Sequence, residues 1–281
     1  MIGDKKGAIS DYTESIRLNP NYAEMYLMRA IAKNSLGNKQ GAIDDYNKVI
    51  HINPDYALAY FNRGIAKYEL GDQEGAIADY SEAIYYNPND AEAYNNRGNA
   101  KKDFKGKLSD YDKAILLKPD LAEAHNNRGN AKKDLGNQQA AIVDYDEAIF
   151  LKPDFAEAYY NRGNAKRDVG YIREALDDYD KAVNLKSDLS EAYGSRGEVN
   201  MYLGNIHGAI SDYKEEIYIN PNSAKAYEGC GLAKYKLGDI LGARIEFQKA
   251  VNLFKEQGDI ENYNIVTEII EQLLGVIQND S

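Results

Sequence analysis

The sequence predicts an all-α solenoid, a stack of two-helix repeats, and three observations carry that expectation. The only six prolines, Pro20, Pro54, Pro88, Pro119, Pro153 and Pro221, stand 34, 34, 31, 34 and 68 residues apart, the last gap being two periods with Ser187 where a proline was due. A fixed period of this length marks internal repetition. Within the period, apolar residues fall three and four apart, as in Ala141, Ile142, Tyr145, Ala148 and Ile149, which is one face of a helix. Small residues recur in register, with Gly64, Gly98, Gly129, Gly163, Gly197 and Gly231 in one column and Ala42, Ala76, Ala141, Ala175, Ala209 and Ala243 in another. They set how closely two helices approach, and bulk there would cost about 1–3 kcal/mol by overpacking.

Taken in order, residues 1–22 read as the second half of a repeat. Seven repeats follow at 23–56, 57–90, 91–121, 122–155, 156–189, 190–223 and 224–257, and then a tail at 258–281. In the repeat 122–155 a first helix starts near Ala122, Glu123 and Ala124. It stops at Leu135-Gly136-Asn137, since glycine tolerates the left-handed conformation that closes a helix. A second helix runs from about Gln138 to Leu151. Lys152-Pro153-Asp154 ends it, because proline cannot continue a helix, and Asp154 stands where it could cap the next one. The repeat 91–121 is three residues short, almost one helical turn. With only Lys105-Gly106-Lys107-Leu108-Ser109 to serve as turn and helix start, the sequence predicts a shortened second helix from about 108 and a dent on the convex side.

The two ends differ. Residues 1–3 fit the last turn of a first helix, so the helix at 4–18 begins with Ala8, Ile9, Tyr12 and Ile16 uncovered. Such a face suggests a fragment of a longer array, or pairing with another copy through residues 1–22. At the other end, Gly258-Asp259 introduces a capping helix over 258–281. Its Ile260, Tyr263, Val266, Ile270, Leu273 and Ile277 line one side and are expected to seal the last repeat.

Composition narrows the function. A hydrophobic content of 43% over 281 residues supports a folded core. One cysteine, Cys230, excludes an intramolecular disulfide framework and a thiolate zinc cage. Lys and Arg number 34 against 45 Asp and Glu, a net charge of −11, which opposes binding to a nucleic-acid backbone. The sequence contains no run of 18 apolar residues and no signal peptide after Met1, so no membrane partner is expected and a cytoplasmic location is favoured. The three histidines, His51, His125 and His207, sit in different phases of the repeat. No metal spacing, nucleophile elbow or phosphate-binding loop is present, so neither catalysis nor a cofactor is expected.

The period, the small-residue columns, the leucine-glycine turn, the aromatic in each helix and the closing proline together resemble the tetratricopeptide repeat, over about residues 1–257. The resemblance implies a right-handed superhelix of antiparallel helix pairs. First helices would line a concave groove and second helices would form the convex back.

Four columns remain to be placed. Tyr26, Tyr60, Tyr94, Tyr159, Tyr193 and Tyr227 recur early in the first helices, with His125 in the same phase. Tyr12, Tyr46, Tyr80, Tyr111, Tyr145, Tyr179 and Tyr213 recur in the second helices. Both columns read as core aromatics with a wet hydroxyl. Arg29, Arg63, Arg97, Arg128, Arg162 and Arg196 form a basic column, and Asp11, Asp45, Asp79, Asp110, Asp144, Asp178 and Asp212 an acidic one. Each Arg is expected to bond the Asp of its own or the adjacent repeat, a charge-assisted pair at the helix–helix seam. In the seventh repeat both change, to Cys230 and Glu246.

In the groove that the resemblance implies, Asn62, Asn96, Asn127 and Asn161 form one row. Asn99, Asn130 and Asn164 form a second, one turn on, and Asn95 and Asn126 a partial third. Asn is a mediocre helix former, but its amide offers a donor and an acceptor together. It can therefore pair with the peptide groups of an extended chain whatever its side chains. Such a row looks like the grooves of repeat proteins that hold extended peptides, including the tetratricopeptide part of the enzyme that transfers sugar to Ser and Thr. A solvated polar face would carry the same residues. The carboxylate clamp of chaperone-adaptor members needs Lys where this sequence has Glu157 or Glu191, so no chaperone C-terminal tail is expected to bind. Glu92, Glu123, Glu157 and Glu191 lie at one end of the groove. Lys102, Lys133 and Arg167, with Asp103, Asp134 and Asp168, lie at the other. The function expected is a protein–protein interaction scaffold that grips an extended peptide or partner protein. The alternatives are a self-assembling array through residues 1–22, or the substrate-recruiting arm of a larger enzyme.

Overall fold

Residues with small side chains and a left-handed glycine at fixed intervals dictate helical hairpins. The computed structural model, which describes residues 4–279 with side chains through Glu271, is built of them. The expectations for residues 1–3, Leu273 and Ile277 therefore fall outside the described residues. Two compact units divide the chain at 137/138. The N-terminal unit holds α1 (Lys5–Leu18), α2 (Ala23–Ser35), α3 (Lys39–Ile52), α4 (Ala57–Glu69), α5 (Gln73–Tyr86), α6 (Ala91–Ala100), α7 (Phe104–Leu117) and α8 (Ala122–Asp134). The C-terminal unit holds α9 (Gln138–Leu151), α10 (Ala156–Asp168), α11 (Ile172–Leu185), α12 (Ser190–Tyr202), α13 (Ile206–Ile219), α14 (Ala224–Lys236), α15 (Ile240–Gln257) and α16 (Ile260–Asn279). The described residues are all-helical, an all-α repeat solenoid.

Turn chemistry sets each hairpin. Gly71 and Gly170 take φ of +86° and +87° after their first helices, a conformation that costs glycine nothing. The next residue but one begins the second helix, and its predecessor caps it. Asp72 accepts from the N–H of Gly75, Asn38 from Gly41, and Asp239 from Gly242. The glycine three residues after these caps lets the capping side chain lie close, where an added Cβ would make it shift. The aspartates beside the prolines do not cap, contrary to expectation. The first helices α4, α8, α10 and α12 are capped instead by Tyr56, Leu121, Phe155 and Leu189, without a side-chain bond, whereas Asp90 and Ser223 cap α6 and α14 by accepting from Ala93 and Ala226. These apolar residues tuck toward the core, and their own carbonyls serve the exposed N–H groups, as Tyr56 does for Ala59 at 2.9 Å and Phe155 for Ala158 at 3.0 Å.

The short repeat corrects a second expectation. Its second helix, α7, keeps all 14 residues, and α6 is the one cut, to 10 residues against 13 in α4, α8 and α10. The cause is the cap: Asp103 accepts from the N–H of Gly106 at 2.6 Å, as Asp72 does from Gly75. That bond fixes the start of α7 at Phe104. The three missing residues then come out of the last turn of α6 and its glycine turn, and Lys101 lies in extended backbone.

Packing follows the small columns. An added Cβ at Gly64, Gly98, Gly163 or Gly197 would lie 2.7–2.9 Å from the ring of Tyr80, Tyr111, Tyr179 or Tyr213, so the second-helix rings sit directly on first-helix backbone. Tyr46, Tyr80, Tyr145 and Tyr179 are accordingly buried, while Tyr12 in α1 is half-buried. In the N-terminal unit α2, α4, α6 and α8 touch in succession, which lines first helices up on one side. In the C-terminal unit α16 packs on α15, with Val266 buried among Phe247, Val251 and Phe254, and with Tyr263 and Ile270 against them. Ile260 is exposed, not packed as expected, because it precedes the turn of α16 that reaches α15.

Candidate functional site

Five repeats are pinned by one buried carboxylate each, Asp45, Asp79, Asp110, Asp178 and Asp212. Asp110, 3% exposed, accepts from Arg97 Nε at 2.9 Å and Nη2 at 2.7 Å, and from Lys101 Nζ at 2.7 Å. Asp178 takes the same three bonds from Arg162 (2.9 and 2.6 Å) and Lys166 (2.8 Å). The pattern recurs at Arg29–Asp45–Lys33 and Arg63–Asp79–Lys67. The pairs lie within one repeat, and the remaining Arg nitrogen reaches the preceding second helix: Arg97 to Ser81, Arg128 to Asp112, Arg162 to Asp146 and Arg196 to Asp180. Asp144 is buried. Burial opposes the charge of Arg162, yet its bonds to Asp178 and Asp146 raise its pKa overall. The Arg guanidinium also lies 5.3–5.5 Å over the ring of the first-helix tyrosine three residues earlier, as Arg97 does over Tyr94, a cation–π contact.

The Lys column, four residues after each Arg, is the part sequence reasoning missed. It is a helical i,i+4 neighbour of Arg, and its recurrence at Lys33, Lys67, Lys101 and Lys166 was the available signal. Where Arg is Cys230, Lys234 alone holds Glu246 at 2.7 Å, and in the sixth repeat Asn200 donates to Asp212 in place of Lys.

The asparagine rows separate into two kinds. In the N-terminal unit Asn62, Asn96 and Asn127 stand half-exposed on α4, α6 and α8. In the C-terminal unit Asn161 stands half-exposed on α10. The second row turns toward the tyrosines: the Tyr111 hydroxyl donates to Asn99 Oδ1 at 2.8 Å, and the Tyr179 hydroxyl to Asn164 Oδ1 at 2.8 Å. Burial pushes both phenols well above their ordinary range, so they remain donors at neutral pH. Asn164 is buried in that bond, Asn99 is half-exposed, and Asn130 is half-exposed. Asn95 and Asn126 do not form a groove row. Both are buried, and Asn95 Oδ1 accepts from Asn127 Nδ2 at 3.0 Å, because one residue along a helix swings the side chain about 100° toward the neighbouring helix. Lys102 and Asp103 are not at the end of α6 as expected, since α6 stops before them. His125 occupies a tyrosine phase and does a tyrosine's work: its Nε2 lies 3.0 Å from the Pro119 carbonyl, as the Tyr60 hydroxyl lies 3.1 Å from that of Pro54.

Where α6 has lost its last turn, the N-terminal unit has a cavity of about 240 Å³ lined by Tyr68, Asn99, Lys107, Tyr111, Asn127, Asn130, Ala131 and Asp134. Residues from α4 and α8, two hairpins apart, face it together because α6 ends at Ala100. A second cavity of about 260 Å³ adjoins it and shares Tyr68 and Asn99, with Ile65, Glu69, Tyr80 and Asn96. Lys107 stands three residues before Asp110, in the phase that holds buried Ala42, Ala76, Ala141 and Ala175 elsewhere. Among the described residues no carboxylate pairs with it, and its ammonium lies 5.8 Å over the Phe104 ring. Among the described residues, too, no cluster of three metal-ligating side chains is found, and no helix is long and apolar enough to cross a membrane.

Comparison with known proteins places this geometry. A family profile described as a TPR repeat matches residues 32–71, 64–103 and 129–170, and one described as a tetratricopeptide repeat matches 156–189. Among solved structures, MamA is 28% identical, covering 59% of this chain and 96% of its own, with a TM-score of 0.54. The Cut9–Hcn1 assembly of the APC/C aligns over 82% of this chain and 46% of its own at 18% identity and a TM-score of 0.72. YrrB, described as a TPR protein with an unusual peptide-binding site, is 22% identical over 64% of this chain and 95% of its own, with a TM-score of 0.50. No curated protein matches the chain.

Proposed function

The chain belongs to the tetratricopeptide repeat family, and from that premise we propose that it is a non-catalytic scaffold whose first-helix side grips an extended segment of a partner protein. The observation that carries this reading is the row of half-exposed amides on successive first helices, Asn62, Asn96 and Asn127, repeated by Asn161 in the other unit. Side-chain amides pair with peptide groups and so hold a backbone without fixing its sequence. That YrrB, of the same fold, has a peptide-binding site is consistent with this use. A C-terminal carboxylate is a poor guest. Glu157 stands where a clamp would need Lys, and its bond to Lys186 at 2.7 Å holds its carboxyl below the usual range, hence charged.

The test is selection of random peptides on the immobilised chain, followed by solution affinities for the wild type and for the triple variant Asn62→Ala, Asn96→Ala, Asn161→Ala. The expected result is a loss of about tenfold or more for peptides of unrelated sequence. Unchanged affinity for every selected peptide would overturn the reading.

A further inference from the structure

We propose that the cavity opened by the short third repeat is a side-chain pocket for a carboxamide, the Gln or Asn of a partner segment, an inference that rests on the groove reading above and adds the specificity it lacks. Three features of the cavity point to this guest. First, its lining is polar and carries one cation and one anion, Lys107 from α7 and Asp134 from α8. Neither has an ion-pair partner among the described residues, although nearly every other cation near the seam is paired, Lys101 with Asp110 and Arg128 with Asp112 among them. Second, Lys107 replaces the buried alanine of other repeats. Its ammonium lies over the Phe104 ring with no carboxylate beside it among the described residues, which leaves its N–H groups for a guest acceptor. Third, Asn99 has its carbonyl occupied by Tyr111, which leaves its N–H groups to donate. Asn127 has its N–H group given to Asn95, which leaves its carbonyl to accept.

The pocket thus offers a cationic donor, an anionic acceptor, a neutral donor and a neutral acceptor. A carboxylate guest would gain at Lys107 and be repelled at Asp134, and an ammonium guest would meet the reverse. A carboxamide takes a charge-assisted hydrogen bond from Lys107 through its oxygen and gives one to Asp134 through its nitrogen, with no net charge to desolvate. Tyr68 and Tyr111, also in the lining, add aromatic surface on which an sp² group can pack.

The experiment titrates N-acetyl-glutamine methylamide, and its glutamate, lysine and norleucine counterparts, into the isotope-labelled full chain while the Asn side-chain amide resonances are followed. The expected result is that the glutamine compound shifts Asn99 and Asn127 and binds about tenfold more tightly than each of the others. Lys107→Ala, which installs the residue other repeats carry there and so keeps the fold, should lose that preference. Asp134→Asn should weaken glutamine and improve glutamate. Equal binding of all four compounds, tighter binding of glutamate or lysine, or a Lys107→Ala chain that binds glutamine as wild type would overturn the proposal. The groove reading fails separately. It is tested through Asn62, Asn96 and Asn161, none of which lines this cavity, so loss of peptide binding in that triple variant with no glutamine binding in wild type would sink the pocket alone.

Discussion

The third and fifth repeats carry the same seam and different ends. In both, an Arg and the Lys four residues on hold one buried carboxylate, Asp110 or Asp178. In both, the second-helix tyrosine packs on a first-helix glycine and donates to an asparagine one residue further on, Asn99 or Asn164. Yet α10 runs on to Asp168 and leaves Asn164 9% exposed, while α6 stops at Ala100 and leaves Asn99 open to a cavity. The seam is therefore a module that does not need the turn. A repeat can lose three residues at its end, gain a polar opening, and keep its register against both neighbours.

The largest effect that could break this comparison is at the carboxylates. Asp110→Ala and Asp178→Ala each leave two cations facing an empty buried site and should each cost about 3–5 kcal/mol, measured by urea unfolding. Near-equal losses support a common seam, and a markedly smaller loss at Asp110 would mean that the short repeat is held some other way. Next come the glycines. Gly98→Ala and Gly163→Ala put a Cβ 2.7 and 2.8 Å from the Cε1 of Tyr111 and Tyr179, and each should cost about 1–3 kcal/mol. A milder result at Gly98 would say that the open end lets α7 retreat.

The smallest effect sharpens the idea of a module by its exception. In the sixth repeat Glu216 occupies the phase of fully buried Ala83, Ala114, Ala148, Ala182 and Ala250, with Gly194 making room for its carboxylate. Burial pushes its pKa up, against the bond from Ser223. A raised carboxylate pKa favours the folded state below the ordinary value and loses that advantage as pH rises through the folded pKa. Glu216→Ala should thus gain about 0.5–2 kcal/mol at neutral pH, and the gain should shrink on acidification. A gain independent of pH would assign it to packing alone.

The repeat, its helices and the Arg–Asp columns were legible in the sequence because periodicity reports which residues share a face. What stayed hidden depended on choices between neighbouring positions. The deletion near 105–109 could be removed from either helix, and only the Asp103-x-x-Gly106 cap, matching Asp72-x-x-Gly75, decides that α6 gives way. The amides of Asn95 and Asn126 differ from those of Asn96 and Asn127 by one residue, yet the helical step buries the former and leaves the latter half-exposed. Asn99 and Asn164 share a phase, and their exposure differs only because the turn above one is missing.

The most direct measurement restores that turn. Inserting Asp-Leu-Gly between Lys102 and Asp103 rebuilds the Lys-Lys-Asp-Leu-Gly run of residues 132–136 and should extend α6 by the three residues it lacks. Titrated with N-acetyl-glutamine methylamide, the lengthened chain should show no shift at the Asn99 and Asn127 side-chain amides while still binding the peptides selected on the wild type. Undiminished glutamine shifts in the lengthened chain would contradict the account, since the opening would then owe nothing to the missing turn.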